Sequence, residues 1–196
     1  MKSFRSILLL AAIVLLASPA VSAQTAAQKT RLAEIRKAYS DAMALATKNQ
    51  AAATKNTQVF QAVQTDANGV WNHKIEFVYD LDYVEELDFY APRLVFIRQN
   101  TGGYLQEFLF DEECELMFVF ERPDPGEEDE TMEFRYYYDT QGAPFWKIEK
   151  EVEVKSKKVL STTEGPVEES DGSAWFLTRV ANDLVAAFDA LNVMYD

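Results

Sequence analysis

Short segments in which apolar residues occupy every second position recur through the middle of the chain, and they constrain its fold more than any other feature. In residues 70–80, for example, Ile75, Phe77 and Tyr79 alternate with Lys74 and Glu76. A period of two is typical of a β-strand with one buried face. Comparable segments, each interpreted as one strand, cover residues 57–65, 94–99, 103–111, 115–122, 132–139 and 144–160.

Turn sequences separate these segments. Asp66-Ala67-Asn68-Gly69 and Asn100-Thr101-Gly102-Gly103 supply the asparagine and glycine residues that adopt positive φ in tight hairpins. Because short hairpins force neighbouring strands to pair antiparallel, we expect an antiparallel meander of about seven strands within residues 57–160. Closure of this meander into a lipocalin-like barrel is the alternative.

An amphipathic helix is predicted before the strands, within residues 24–56. Residues 26–52 lack glycine and proline, and apolar residues recur there at spacings of three and four, as on one face of a helix. The residues of this face are Leu32, Ile35, Tyr39, Met43 and Ala46.

A second helix is predicted after the strands, over residues 173–193, with Ser173 as its N-cap. Leu177, Val180 and Leu184 begin its apolar face, and a polar loop over residues 162–172 precedes it. The fold class is therefore α+β: an antiparallel meander flanked by an N-terminal and a C-terminal helix. Helices that cover one face of the sheet are the simplest arrangement.

Two hairpins repeat at an offset of 28 residues, the first within residues 107–118 and the second within 135–146. Each has an aromatic strand, an aspartate and a turn residue in the same order. The aspartate should cap a type I turn, and the turn residue should adopt a left-handed conformation. Gly142 suits that conformation, whereas its counterpart Cys114 does not.

These residues also carry a resemblance. The helix Ala33-Glu34-Ile35-Arg36-Lys37-Ala38-Tyr39, the strand Leu116-Met117-Phe118-Val119-Phe120 after Phe110-Asp111, and Arg135-Tyr136-Tyr137-Tyr138-Asp139 with Gly142 resemble small exported proteins of Bacteroidetes that have no assigned function. The chain departs from their pattern at Cys114, where a glycine is expected. The resemblance implies bacterial export and no catalytic residues.

Residues 1–23 have the three-part pattern of a secretory signal peptide. Lys2 and Arg5 precede an uncharged apolar run over residues 7–17, and Val21-Ser22-Ala23 gives the small residues of a cleavage site. We expect cleavage after Ala23, which leaves residues 24–196 as a single domain with no membrane span, in the periplasm or outside the cell. The apolar run is shorter than the roughly 20 residues that span a bilayer.

The chain is acidic, and the acidity is concentrated in one part of it. The whole chain has a net charge of −13, while residues 80–140 alone hold 18 acidic and 4 basic residues. Nucleic acids and anionic membrane surfaces require a basic face, so we expect neither as a partner. Residues 24–79 are mildly basic, with 7 basic and 4 acidic residues.

The sequence contains no recognisable catalytic constellation. His73 and Cys114 are the only histidine and the only cysteine, and no spacing brings them together as a nucleophile and its base. Two such ligands are too few for a structural zinc site. We therefore predict a protein that is not an enzyme and has no cofactor. Cys114 is interpreted as an unpaired turn thiol, with a redox role or an intermolecular disulfide as the alternative.

Acidic clusters are the candidate binding residues. A calcium candidate follows Pro123 and lacks the spacing of a known calcium loop; a solvated loop is the alternative interpretation. Its members are Asp124, Glu127, Glu128, Asp129 and Glu130. Candidates for binding a partner protein are Asp80, Asp82, Glu85, Glu86 and Asp88.

These observations predict an exported, non-enzymatic binding or interaction protein whose acidic region faces a basic or calcium-rich partner. The alternative is a carrier of a lipid or other apolar ligand on the concave aromatic face of a curved sheet. An enzyme that acts through carboxylates is a third possibility. Apolar residues of the opposite parity raise the question of what covers the second face; they are Leu109, Met117, Val119 and Tyr137.

Overall fold

The computed structural model describes residues 24–51, 56–66, 69–85 and 88–192. Eight antiparallel strands form one sheet in chain order, and one helix precedes and one follows them, which confirms the predicted α+β meander. The helices are α1 (Ala26–Ala51) and α2 (Gly172–Leu191). The strands are β1 (Thr57–Asp66), β2 (Gly69–Val84), β3 (Phe89–Thr101), β4 (Tyr104–Phe110), β5 (Leu116–Arg122), β6 (Glu130–Tyr138), β7 (Pro144–Glu153) and β8 (Val159–Pro166).

The sheet has one strand more than the sequence predicts. The predicted strand over residues 144–160 is wrong, because β7 ends at Glu153 and a turn with Lys157 at φ 60 leads into β8. β8 therefore occupies part of the segment predicted as a polar loop. It is an edge strand with mostly exposed side chains, so no buried face imposes an apolar alternation on it. In the described residues no pairing joins β1 to β8, and the sheet is open rather than a barrel.

The two helices cover opposite faces of the sheet, so the prediction that helices cover one face is wrong. α2 packs through Leu177, Ala181 and Phe188 on one face, and α1 packs through Leu32 and Ile35 on the other. Because neighbouring strands of the meander are joined by short turns, the helices lie before and after the strands. Each of the two helices covers one apolar face of the sheet. No helix in the described part of the chain has the length and apolarity that a membrane crossing needs.

Helix α1 covers the second apolar face of the sheet. Leu109, Met117 and Tyr137 are buried beneath it, whereas Val119 faces α2. A β-bulge shifts the register between β4 and β5, where Phe110 pairs with Leu116 and Leu109 pairs with Phe118. A bulge adds one residue to one strand, so the apolar parity changes within β5.

The repeated hairpins have the same turn in atomic detail. Asp111 Oδ1 accepts hydrogen bonds from the Glu113 and Glu115 amides at 3.1 and 2.9 Å. Asp139 Oδ1 accepts the equivalent bonds at 2.8 and 3.0 Å. Cys114 has a φ of 61 and Gly142 a φ of 72. The cysteine thus adopts the left-handed conformation that the repeat predicts, at the steric cost that glycine avoids.

The N-cap of α2 is Asp171, so the prediction of Ser173 is wrong. Its carboxylate accepts hydrogen bonds from the amides of Ser173 and Ala174 at 3.2 and 3.4 Å. The Lys147 ammonium donates to the same carboxylate at 2.8 Å. Asp171 thereby joins the start of α2 to the sheet.

We expect Asp171→Ala to lower the free energy of unfolding at neutral pH by about 1–2 kcal/mol, because it removes an N-cap and an ion pair. Burial opposes ionisation of Asp171, but the Lys147 ammonium and the two amides outweigh it and hold the pKa of Asp171 below its ordinary value of 3.8. A carboxyl whose folded pKa is lowered stabilises the fold above its unfolded pKa and loses that contribution as pH falls through the folded pKa.

Asp171→Asn is the matched control, because asparagine is an equally good N-cap without the charge. Urea unfolding of both variants should show a smaller loss for Asp171→Asn at neutral pH. Its difference from the wild type should shrink below about pH 4. An unchanged difference at acid pH would contradict the role of the Lys147 ion pair.

Candidate functional site

A row of charged side chains crosses the centre of the sheet on the face that α1 covers. Cross-strand pairing aligns one residue from each strand from β2 to β7, and charged and apolar residues share the row. In order, the row contains Glu76, Arg98, Glu107, Phe120, Arg135 and Ile148.

The first half of this row is an ion-pair network. The Arg98 guanidinium donates to Glu107 Oε1 at 2.8 Å and lies 3.7 Å from Glu76 Oε2. Lys74 Nζ lies 2.5 Å from Glu76 Oε1. Both glutamates are buried, and buried carboxylates are stable when they are paired and hydrogen-bonded. Two cations therefore balance the two buried carboxylates.

Helix α1 contributes a phenol to this network. The Tyr39 hydroxyl donates a hydrogen bond to Glu107 Oε2, and its ring packs edge-on against Phe118 with the ring centroids 5.1 Å apart. Burial, and then the Glu107 carboxylate, raise the pKa of Tyr39 well above its ordinary value. Tyr39 therefore remains protonated and remains a donor over the whole physiological pH range.

Arg135 lies on the other side of Phe120 and is less completely paired than Arg98. Its guanidinium lies over the Phe120 ring, 5.1 Å from the centroid, and its Nη2 donates to Glu133 at 2.7 Å. Its Nη1 is buried and has no hydrogen-bond partner among the described residues. Unpaired buried donors are uncommon and cost free energy, so the position of this atom is unfavourable for stability.

A cavity of about 380 Å³ opens beside Arg135, between α1 and strands β5–β7. Three cationic side chains line it: Arg36 from α1, Arg135 from β6 and Lys150 from β7. Among the described residues that line it, none is acidic. Glu133, which pairs with Arg135 at 2.7 Å, is not among the lining residues, so the lining itself is cationic although the chain has a net charge of −13.

The remaining walls of this cavity are apolar or phenolic. Phe118 and Phe120 from β5 and Ile148 from β7 form the part next to the sheet, and Ile35 and Tyr39 contribute from α1. Guanidinium groups bind carboxylate, sulfonate and phosphate oxygens through charge-assisted hydrogen bonds. The site therefore has the chemistry to hold an organic anion whose apolar body lies against the aromatic wall.

The predicted partner-binding residues lie in and near the β2–β3 hairpin, away from this cavity. Asp82 pairs with Arg93 at 2.5 Å, and Asp88 Oδ1 accepts from the Tyr83 hydroxyl at 2.7 Å. Asp80 and Glu85 are exposed, and Glu86 lies outside the described residues. Sequence reasoning missed the exposed rings of Tyr83 and Tyr90, which pack on each other with centroids 5.3 Å apart.

The predicted calcium residues lie in and beside the loop between β5 and β6. Asp124 Oδ1 accepts from the Gly126 amide at 3.1 Å, and Asp129 pairs with Lys155 at 2.8 Å. Glu127, Glu128 and Glu130 are exposed. In the described part of the chain no three acidic, histidine or cysteine side chains are grouped as metal ligands, so the calcium site remains a prediction from composition.

His73 and Cys114 lie at opposite ends of the sheet. His73 is on β2, where it pairs with Thr101 next to the β3–β4 turn, whereas Cys114 is in the β4–β5 turn. Burial, and then Asp189, raise the pKa of the Cys114 thiol, so this thiol is a poorer nucleophile than an exposed one. The structure does not bring the two residues together.

Comparison of the chain with known proteins found no matching family model, no matching curated protein and no matching solved structure.

Proposed function

We propose that this chain is an exported binding protein that holds an amphipathic organic anion in the cavity between α1 and strands β5–β7. The lining of that cavity carries the proposal, because among the described residues it combines three cationic side chains and no acidic one with an aromatic wall. An oxyanion on the ligand would accept from Arg135, while Arg36 and Lys150 would add attraction from the cavity wall. This develops the carrier hypothesis and gives the ligand a charge as well as an apolar body.

The volume and the lining set the size of the ligand. A cavity of about 380 Å³ lies within the range of roughly 300–1,000 Å³ that is common for small-molecule sites. The aromatic wall of Phe118 and Phe120 favours an aliphatic chain or an aromatic ring over a sugar. A medium-chain fatty acid and an aryl sulfonate both satisfy these requirements.

Binding without reaction is the role that the lining supports. The raised pKa of Tyr39 keeps its phenol protonated and bonded to Glu107, so this group serves to hold α1 on the sheet. Export to the periplasm or the cell exterior is part of the proposal and rests on the signal-like sequence of residues 1–23.

Fluorescence titration with 8-anilinonaphthalene-1-sulfonate, an aromatic anion, tests the proposal. We expect saturable binding to residues 24–196, competition by decanoate, and no competition by decylammonium. Arg135→Met keeps the length of the side chain but removes the guanidinium, and we expect it to weaken dye binding about tenfold, or ~1.4 kcal/mol.

Lys37→Met is the matched control, because it removes the same charge from an exposed side chain of α1. Equal affinities of Arg135→Met and Lys37→Met would contradict the proposed site, and so would binding that decanoate does not displace. Circular dichroism of each variant establishes that the fold is retained before affinities are compared.

A second candidate function is recognition of a basic partner protein by the β2–β3 hairpin. The specific observation is an exposed aromatic pair, Tyr83 and Tyr90, among the carboxylates of Asp80, Asp82 and Asp88. Aromatic residues next to charges are common in protein interfaces. The acidic rim would attract a basic surface, and the two rings would contact its apolar residues.

A short lysine-rich peptide that contains one tryptophan tests this second function. We expect the double variant Tyr83→Ser with Tyr90→Ser to bind it about tenfold more weakly than the wild type at constant ionic strength. Equal binding by both proteins would show that only non-specific charge attraction acts at the hairpin.

A further inference from the structure

Among the described residues, three buried glutamates lie within the sheet, and one of them lacks a paired cation. Glu76 and Glu107 share Arg98, and Glu76 also pairs with Lys74. Glu121 is only 7% exposed, yet within the described residues no lysine or arginine nitrogen pairs with it within 4 Å. A buried carboxylate is costly without a balancing charge. Glu76 and Glu107 have such a charge next to them, and Glu121 does not.

Neutral donors surround one oxygen of Glu121. The Gln106 amide donates to Oε1 at 2.8 Å, and the Tyr104 hydroxyl donates to the same oxygen. Burial, and then the hydrogen bond to Glu121, raise the pKa of Tyr104 well above its ordinary value, so the phenol remains a donor. Both donors are neutral groups, so these hydrogen bonds supply no positive charge next to the carboxylate.

Glu121 lines a cavity of about 510 Å³ on the face that α2 covers, opposite the face of the anion cavity. Gln99, Gln106 and Glu121 stand side by side on β3, β4 and β5 through cross-strand pairing. Phe176 and Val180 of α2 form an apolar wall across from them. The cavity thus combines a buried carboxylate, two amides and a hydrophobic surface.

Phe176 extends this wall toward solvent. It is 53% exposed, although it lies on a helix whose other large apolar side chains include the buried Leu177 and Phe188. The Arg179 guanidinium lies over its ring, 5.3 Å from the centroid, and is not paired with Glu121. Arg179, the cation of α2 next to this apolar wall, therefore does not balance the charge of the Glu121 carboxylate.

We propose that this cavity binds an organic ammonium ion with a short apolar chain. The ammonium group would pair with Glu121 and complete the charge balance that Arg98 supplies for the other two glutamates. Its hydrocarbon part would pack on Phe176 and Val180, and Gln99 would be within the same polar row to accept a further hydrogen bond. The site is distinct from the anion cavity in its face of the sheet, its residues and its charge.

Chemical-shift titration of the Gln106 side-chain amide by NMR tests this proposal, with butylammonium chloride as the probe and sodium butyrate as the matched anion. We expect saturable shifts with butylammonium and none with butyrate. Glu121→Gln preserves the shape of the side chain, removes its charge, and should weaken butylammonium binding about tenfold or more.

Glu164→Gln controls for the change in net charge, because Glu164 is exposed on β8, and it should bind like the wild type. Phe176→Ala should weaken binding about threefold through loss of the apolar contact. Because the Phe176 side chain is about half exposed, we expect this variant to retain the fold. Equal affinities of Glu121→Gln and Glu164→Gln would overturn the proposal, as would the absence of a saturable shift in the wild type.

Discussion

Phe188→Ala should lower the free energy of unfolding by about 3–5 kcal/mol, the range for removal of a buried phenylalanine. Phe188 is 2% exposed near the end of α2. Its ring packs on Phe77 and Tyr79 of β2, with centroids 5.7 and 5.9 Å away. The lost side chain would leave a cavity between the helix and the sheet. Urea unfolding followed by circular dichroism measures the loss.

Phe176→Ala is a control on the same helix. Its ring is about half exposed, so truncation should cost under about 1 kcal/mol. Similar losses for the two variants would contradict the docking of α2 on this face of the sheet. A loss at Phe188 that is several times larger would support it.

Glu107→Ala should lower the free energy of unfolding by about 2–3 kcal/mol, because it leaves Arg98 without its closest carboxylate and Tyr39 without its acceptor. The Glu107 side chain is 5% exposed and that of Arg98 is 26% exposed, so water partly solvates the orphaned guanidinium and limits the loss. The effect should extend to α1, whose Tyr39 hydroxyl bonds only to this carboxylate in the described residues.

Two variants separate charge from shape in this experiment. Glu107→Gln retains an acceptor for Tyr39 and should cost less than Glu107→Ala. Glu112→Ala removes an exposed carboxylate from the β4–β5 turn and should change stability by under about 0.5 kcal/mol. Hydrogen exchange of the α1 amides should accelerate in Glu107→Ala; unchanged exchange there would show that the network does not hold the helix.

The elements that bury an apolar face were predictable from the sequence. Ile75, Phe77 and Tyr79 specify β2 through their alternation, and Leu177 and Leu184 specify α2 through their spacing. β8 was missed because an edge strand with exposed side chains has no buried face. The N-cap was misplaced by two residues because Asp171 and Ser173 both have capping side chains, and only the hydrogen bonds distinguish them.

The candidate site was not predictable in the same way. Arg98 and Glu107 face each other across one hairpin, whereas Arg135 joins the same row only through the pairing of β4 with β5 and of β5 with β6. The bulge between β4 and β5 shifts that register by a residue, which a pattern of alternation does not reveal. A signal did exist for α1: apolar residues of both parities in β4–β6 indicate two buried faces, and Leu109 and Tyr137 are among them.

Methyl NMR of isoleucine-labelled protein tests the central claim, that the α1 cavity holds an organic anion. Residues 24–196 contain four isoleucines: Ile35 and Ile148 line the cavity, while Ile75 and Ile97 lie on the opposite face. Titration with decanoate should shift the methyl signals of Ile35 and Ile148 and leave those of Ile75 and Ile97 in place. Shifts confined to Ile75 and Ile97, or no saturable shift at any of the four, would contradict the claim.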